Sequence, residues 1–363
     1  MKRYLTLIIV LLIMIPIFGE IVKRIEVGTH PKSLTMHKTE NGKRYFLILD
    51  EGTSSIYVYN ENFELSKVLD EFSDNGIVKI IIHEKKLYCI AFHSGRLIVY
   101  NLNGDVDSWK PIDIISLKSR VFDVAFLKDT LALLSIDKEI IFIDKNKLSV
   151  IKRQKLPVRA LTIESGENFF YVTLFYNYSL SENTFKTEKG LYVYDEKGTL
   201  KNKIDTGKRP SYVFINDRII GVVNYLDNDL ELFKRIGNYI FEINKLDIGK
   251  FSNFPIVKDD ELLICSLIEN RIYRYNFITK ESGIIETKGK GPLKCRADSM
   301  NYYVISVFSG SFEIISREGY LIKNFDLQGY PVDFLFFEKY ALILLQESWN
   351  ISKDFGELVV ISF

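Results

Sequence analysis

The amino-acid sequence predicts an all-β fold, an eight-bladed β-propeller with four antiparallel strands in each blade. An apolar run that ends in an aromatic residue and a small polar residue, first seen at residues 56–60, recurs along the chain. Its copies end at positions 60, 101, 144, 195, 234, 276, 316 and 362, a mean spacing of about 43 residues that is typical of propeller repeats. The composition agrees, because 21 Tyr, 26 Phe and many Ile and Val residues favour strands.

The first repeat shows the four strands of one blade at residues 32–37, 45–49, 56–59 and 65–69. Turn-forming residues such as Asn41-Gly42 separate them. The innermost strands of the later repeats begin near Val78, Val121, Val158, Ser211, Asn253, Leu293 and Val332. This count predicts eight blades. Seven is the alternative, if the copy at residues 230–234 is an insertion within a neighbouring blade.

The two ends of the chain complement one another. The last repeat supplies strands at residues 332–336, 341–345 and 358–362, and the chain then stops one strand short of a blade. Residues 21–27 form a spare strand at the other end. We therefore expect the N-terminal strand to complete the last blade, which closes the ring and covers a sheet edge that would otherwise invite aggregation.

A family resemblance rests on the connections between repeats. Residues 25–31 read Ile-Glu-Val-Gly-Thr-His-Pro, residues 204–210 read Ile-Asp-Thr-Gly-Lys-Arg-Pro, and strands follow each phrase. This pattern resembles the YVTN and NHL types of β-propeller repeat. The resemblance implies a propeller, often one outside the cytoplasm. That broad group includes lactonase-like enzymes, binding modules and surface proteins, so the resemblance assigns no catalytic residue.

Residues 1–19 follow a different pattern, in which Lys2 and Arg3 precede an apolar run over residues 5–18 and the small residue Gly19 follows. This pattern predicts a signal peptide, with residues 20–363 forming a single propeller domain that is secreted or periplasmic. The apolar run is shorter than the roughly 20 residues that span a bilayer as a helix. An uncleaved N-terminal anchor is the alternative, and it is the one predicted link to a membrane.

Charge and cysteine content exclude several classes. The chain carries 48 Lys and Arg against 47 Asp and Glu residues, whereas a nucleic-acid-binding protein would need a basic surface. Cys89, Cys265 and Cys295 each fall in a predicted apolar strand, which indicates buried thiols, with a Cys265–Cys295 bridge as the alternative. The sequence shows no metal-ligand spacing and no nucleotide or cofactor fingerprint, so we predict neither a metal nor a cofactor.

The face on which the innermost strands begin is the expected binding face. Aligning those strands at the third position predicts a ring around the channel mouth: Ser33, Lys79, Asp123, Arg159, Tyr212, Phe254, Lys294 and Asp333. The ring has the charges to bind a small anionic or sugar-like ligand, and Asp123 or Asp333 would act as a base if burial raised its pKa. The alternative is that these charges pair with each other and serve the fold alone.

Two connections between second and third strands are longer than the others, at residues 176–190 and 346–356. They belong to blades 4 and 8, which lie opposite one another in an eight-membered ring. We expect both to flank the channel mouth as loops and to present aromatic side chains of the kind enriched at binding hot spots: Tyr176, Tyr178, Phe185 and Trp349. The alternative is that they are surface insertions without a function.

These observations predict an extracytoplasmic module that binds a protein or a small molecule at its channel mouth, without catalysis. A lactonase-like or related hydrolase with a channel-mouth site is the alternative. A third class, a subunit of a cell-envelope assembly, would show an exposed apolar patch across the two long connections.

Overall fold

The structure is a computed structural model that describes residues 19–71, 75–179, 184–187, 190–348 and 355–363, and the side chains of residues 176–187 are not described. The predicted signal segment, apart from Gly19, lies outside the described residues. Within them the chain folds into 33 β-strands, numbered here in chain order, and a single turn of 3₁₀ helix at Val106–Ser108. The strands form eight antiparallel sheets, which are the blades of a propeller.

The first strand, β1 (Glu20–Val27), precedes the blades of the N-terminal half. Blade 1 consists of β2 (Pro31–Lys38), β3 (Arg44–Asp50), β4 (Ser55–Tyr59) and β5 (Leu65–Leu69). Blade 2 consists of β6 (Ile77–His83), β7 (Lys86–Ala91), β8 (Arg96–Asn101) and β9 (Lys110–Ser116). Blade 3 consists of β10 (Val121–Leu127), β11 (Thr130–Ser135), β12 (Glu139–Asp144) and β13 (Ser149–Lys155). Blade 4 consists of β14 (Arg159–Gly166), β15 (Phe169–Ser179), β16 (Thr184–Thr187), β17 (Leu191–Asp195) and β18 (Leu200–Ile204).

The C-terminal half repeats this arrangement. Blade 5 consists of β19 (Pro210–Asn216), β20 (Ile219–Asn224), β21 (Asp229–Ile236) and β22 (Tyr239–Asp247). Blade 6 consists of β23 (Ser252–Lys258), β24 (Glu261–Ser266), β25 (Arg271–Asn276) and β26 (Ser282–Glu286). Blade 7 consists of β27 (Pro292–Ala297), β28 (Asn301–Ser306), β29 (Ser311–Ser316) and β30 (Leu321–Asp326). Blade 8 contains β31 (Gly329–Phe337), β32 (Tyr340–Ser348) and β33 (Gly356–Ser362). The eight-blade prediction is confirmed, and blade 5 is a complete blade.

The N-terminal strand closes the ring. Blade 8 has the strand order β31-β32-β33-β1, and β1 pairs antiparallel with β33 from Glu20 opposite Ser362 to Val27 opposite Gly356. Val27 is buried, and the Arg24 guanidinium lies 2.7 Å from the carboxylate of Glu357, which is also buried. The predicted closure is confirmed: β1 and β33 come from opposite ends of the chain and complete one sheet.

Alternation along each strand explains the repeated apolar run. Successive side chains point to opposite faces of a strand, so a run that is apolar throughout can pack against both neighbouring blades. In β3 and β4 one set packs against blade 2: Leu47, Leu49, Ile56 and Val58. The other set packs against blade 8: Phe46, Ile48 and Tyr59. The segment at residues 56–60 is therefore a packing element between blades and not a functional site.

One face of the propeller carries two kinds of loop: the connectors that enter the innermost strands and the loops between second and third strands. We call it the mouth face. Backbone hydrogen bonds join the two kinds of loop in several blades. The N–H groups of Glu51, Tyr225 and Val307 donate to the carbonyl oxygens of His30, Arg209 and Gly291 over 3.0, 3.0 and 2.8 Å. In these three blades the backbones of the mouth-face loops are therefore held to one another.

Candidate binding site at the channel mouth

The predicted mouth ring coincides with a break in strand pairing. Where each innermost strand meets its second strand, the register shifts beside the ring position: between Ile77 and Lys79 in blade 2, for example, and between Pro331 and Asp333 in blade 8. Shifts occur near this position in all eight blades. A bulge adds twist and redirects the side chain beside it. The ring residues therefore occupy a repeated, specially directed position.

The two candidate catalytic carboxylates have the same environment. Asp333 accepts hydrogen bonds from Lys294 Nζ at 2.9 Å, from the Leu34 backbone N–H of the next blade at 3.0 Å, and from the Phe334 N–H at 3.0 Å. Each buried aspartate thus links a lysine of the preceding blade to a backbone N–H of the following blade.

Asp123 repeats this arrangement between blades 2, 3 and 4. It pairs with Lys79 and accepts the N–H groups of Ile163 and Val124, each at 3.0 Å. Carboxylates held by three donors serve the fold directly, and this favours the interpretation that the ring charges pair with each other.

Two aromatic side chains and a lysine lie in the ring of mouth residues between these two aspartates. The Tyr212 and Phe254 rings lie 5.5 Å apart, and Lys294 Nζ lies 5.3 Å from the Phe254 ring centroid. Phe254 has a φ of +48°, a strained conformation for a bulky side chain. Desolvation, with a smaller contribution from the charge of Asp123, raises the pKa of Tyr212 to about 12, so its hydroxyl remains a hydrogen-bond donor at neutral pH.

Arg159, also predicted for the ring, faces a different neighbour. Its guanidinium carbon lies 5.7 Å from the centroid of the Phe122 ring of blade 3, a distance suited to a cation–π contact. Ser33 carries no charge, and its buried hydroxyl oxygen has no hydrogen-bond partner within the described part of the chain. The residues around the channel mouth therefore combine paired charges with aromatic side chains, and they do not form a continuous charged surface.

Glu164 on β14 is a titratable group that the sequence did not single out. The Glu164 side chain still contacts solvent, but the surrounding protein atoms partly desolvate its carboxyl and raise the pKa to about 7; the charge of Asp123 adds to the effect, and Lys79 opposes it. In the sequence, the one feature that could have pointed to Glu164 is an acidic residue on a predicted innermost strand. Its neighbours come from blades 2 and 3, which no local pattern brings together.

A pH-dependent stability follows from Glu164. The folded state binds this proton more tightly than the unfolded chain, where the pKa is about 4.3. The free energy of unfolding should therefore fall as the pH rises from about 4.3 to about 7. Glu164→Gln removes that loss and should stabilise the protein at pH 8 more than at pH 5. Because solvent reaches the side chain, the gain is smaller than for a sealed carboxyl.

Denaturant unfolding of the wild type and Glu164→Gln at pH 5 and pH 8 measures this difference. Glu196→Gln, in the turn between β17 and β18, is the matched control for losing one carboxylate. An equal gain from Glu164→Gln at both pH values would contradict the prediction.

The two long connections differ from the predicted loops. In blade 4, β15 continues to Ser179 and pairs with β16, with Tyr176 opposite Thr187 and Tyr178 opposite Phe185. The loop prediction for residues 176–190 was therefore wrong over most of its length, because a hairpin pairs backbone groups that a loop would leave to solvent. In blade 8 the strand β32 extends to Ser348, so the connection is shorter than expected. Trp349 lies outside the described residues.

The remaining predictions concern metals, membranes and cysteines. Among the described residues, no group of three or more His, Cys, Asp or Glu side chains is arranged to hold a metal ion. No helix in the described ranges has the length and apolar character needed to cross a bilayer.

Cys89, Cys265 and Cys295 are buried free thiols, so the alternative Cys265–Cys295 bridge is absent. Burial raises the pKa of Cys265, which lies in one apolar cluster with Cys295.

Comparisons with known proteins support the fold. No family model and no curated protein matches the sequence. Solved propellers do match the structure. The computationally designed Ika8 protein has a TM-score of 0.74 at 10% identity, covering 95% of this chain and 100% of that one. The C-terminal WD40 domain of Sif2 has a TM-score of 0.69 at 13% identity, covering 95% and 98%. BamB from Moraxella catarrhalis has a TM-score of 0.64 at 11% identity, covering 95% and 100%.

The chain has a β-propeller fold. At these identities the similarity shows the fold and leaves the function to be argued from the site.

Proposed function

We propose that this propeller is a non-catalytic binding scaffold that contacts a protein partner through its mouth face. The observation that carries the proposal is how the ring residues are engaged: Asp123 and Asp333 each accept hydrogen bonds from three structural donors, while Tyr212, Phe254 and Arg159 present aromatic and cationic groups. Loops held on a closed ring place such side chains in fixed positions, which lowers the entropy lost on binding.

We also propose that the scaffold acts outside the cytoplasm, as a secreted or periplasmic protein related to the YVTN and NHL repeat group. The charged and apolar pattern of residues 1–19 and the connector phrase at residues 25–31 support this location. A reporter enzyme that is active only outside the cytoplasm, fused after residue 363, tests it. Activity should require residues 1–19, and equal activity without them would reject the location.

Photo-cross-linking tests the binding face. A photoreactive phenylalanine analogue at His93 or Ile268 on the mouth face should cross-link a partner in cells that make the protein. The same analogue at Asn62 or Ile278, in turns on the opposite face, should give no such product. Mass spectrometry of the products identifies the partner. Cross-links from the opposite face alone would overturn the proposal.

The hydrolase alternative rests on one group, Glu164. With a pKa of about 7 and a side chain that solvent reaches, Glu164 is better suited to accept a proton at neutral pH than Asp123 or Asp333, which each accept three structural hydrogen bonds. Any lactone or glycan hydrolysis by the purified protein should then be lost in Glu164→Gln. Retention of that activity in Glu164→Gln would remove the alternative.

A further inference from the structure

Three neighbouring blades carry exposed apolar side chains at the same position of the mouth face. The position lies two residues after the second strand, and in blades 1, 2, 3, 5, 6 and 7 it is occupied by Gly52, His93, Asp137, Leu226, Ile268 and Phe308. Leu226 is 42% exposed, Ile268 52% and Phe308 59%. Because blades 1 to 3 fold with small or polar residues here, the repeat does not require an apolar side chain. The apolar residues of blades 5, 6 and 7 therefore need another explanation.

Phe251 adds a fourth apolar side chain in the same region. It is the last residue of the connector into blade 6, it is 41% exposed, and its ring lies 5.1 Å from that of Tyr225. Its φ is +54°, whereas the corresponding residue of the next blade is Gly291 at +72°. A phenylalanine in this conformation is strained, and glycine is not. The next blade has glycine at this position, so the repeat does not require an exposed aromatic ring here.

Contacts between the loops make these residues one surface. The Leu267 N–H donates to the Phe251 carbonyl over 3.3 Å, and the Gly291 N–H donates to Asn270 Oδ1 over 3.0 Å. The Phe308 ring lies so close over Gly291 that a Cβ atom there would be 2.5 Å from it. We call this region, with Leu226, Phe251, Ile268 and Phe308, the blade 5–7 surface.

The blade 5–7 surface also presents cations. The connectors carry four exposed lysines whose ammonium groups make no hydrogen bond or ion pair among the described residues: Lys208, Lys250, Lys288 and Lys290. The carboxylates beside them are engaged by backbone donors. Asp227 accepts the Lys208 N–H at 2.8 Å, and Glu269 accepts the Lys250 N–H at 3.1 Å. The lysine charges therefore remain available to a partner.

We propose that the blade 5–7 surface binds an acidic protein segment that carries large apolar side chains. The proposal rests on the proposed scaffold function and specifies its partner. The segment's carboxylates would pair with the connector lysines, and its apolar side chains would contact the four exposed apolar residues. Asp205, Asp227, Asp247 and Glu269 lie among the lysines, so a uniformly anionic membrane or a nucleic-acid backbone fits less well than a peptide with alternating character.

Fluorescence anisotropy with synthetic peptides tests the chemistry. The probe is a labelled peptide that alternates glutamate with leucine and phenylalanine. Two control peptides are used: in one, lysine replaces the glutamates, and in the other, serine replaces the apolar residues. Phosphatidylglycerol vesicles and a single-stranded DNA oligonucleotide are the remaining probes. Among these probes, we expect only the acidic apolar peptide to bind. Added salt should weaken its binding, because its ion pairs with the connector lysines are exposed to solvent.

Matched variants locate the binding. Ile268→Ser and Phe308→Ser should each raise the dissociation constant of the peptide about tenfold, as expected for the loss of an apolar contact at the centre of a binding surface. Ile278→Ser changes the same residue type at a 69% exposed position on the opposite face and should have no effect. Lys250→Glu should weaken binding, while Lys147→Glu, in a turn on the opposite face, should not.

Phe251→Gly separates binding from stability. Relief of the positive φ should leave the melting temperature equal or higher, while the peptide binds several-fold more weakly. A lower melting temperature with unchanged binding would assign Phe251 to the fold and remove it from the surface.

The inference would be overturned by equal peptide affinity in Ile268→Ser and the wild type, by no binding of the acidic apolar peptide, or by binding of vesicles or of DNA that depends on Ile268. A partner that cross-links to His93 in blade 2 but not to Ile268 would also overturn it, while leaving the proposed scaffold function in place.

Discussion

A chain that begins at residue 28 should lose most of its cooperative stability. Removing β1 exposes the edge of β33, deletes the buried Val27, and leaves the buried Glu357 without Arg24. Burial of a valine is worth about 1.5–3 kcal/mol. Breaking a buried ion pair on one side costs about 3–5 kcal/mol. The sum is about 5 kcal/mol or more, a large part of the roughly 5–15 kcal/mol that stabilises an ordinary domain.

Calorimetry of chains beginning at residues 19 and 28 measures this loss. The shorter chain should melt at a much lower temperature or without a cooperative transition, and it should aggregate through the β33 edge. A synthetic peptide spanning residues 19–28, added in trans, should restore part of the transition. Equal melting temperatures for the two chains would show that β1 does not hold the ring closed.

Asp333→Ala should be the most damaging single substitution at the channel mouth, at about 3 kcal/mol or more. It removes the acceptor of the buried Leu34 N–H and leaves the ammonium of Lys294 without its partner. Asp123→Ala removes the equivalent bonds in blade 3. It should cost less, because the side chain of Lys79 is 41% exposed and can be solvated, whereas that of Lys294 is 23% exposed.

Urea unfolding of the two variants gives the comparison directly. Lys294→Met in the Asp333→Ala background should recover part of the lost stability, because it removes an uncompensated cation. The same double replacement at Lys79 and Asp123 should recover less. If Asp333→Ala unfolds at the wild-type urea concentration, the link between blades 7, 8 and 1 contributes nothing to the fold.

Most of the fold could be predicted from the sequence because propeller packing is local and repetitive. Each blade must bury both faces of its central strands, so every repeat carries an apolar run such as residues 56–60. The predicted strand at residues 65–69 agrees with β5; β2 and β3 are one residue longer than predicted at each end, and β4 begins one residue earlier. The closure by β1 was also predictable, because it follows from counting strands at the two ends.

The positions of the site residues could be predicted from the sequence, but their hydrogen-bond partners and their exposure could not. Counting from the start of each innermost strand located Asp123 and Asp333, but their donors Ile163 and Leu34 lie in other blades. Residues 176–190 were predicted as a loop because nothing in the local pattern shows that β15 extends to Ser179 and pairs with β16. The blade 5–7 surface was missed, although Leu226, Ile268 and Phe308 occupy the same position of three repeats.

The sequence by itself predicted the phase of the strands and the ends that meet, and it favoured eight blades over seven, since these features depend on periodicity and local propensity. Tertiary structure decided which carboxylates are held by three hydrogen-bond donors, which carboxyl has its pKa raised to about 7 and which apolar side chains reach solvent together. Those properties depend on distances between groups some 40 residues or more apart in the chain, such as Lys79 and Asp123 at 44 residues. Closing the ring sets these distances, and no single repeat encodes them.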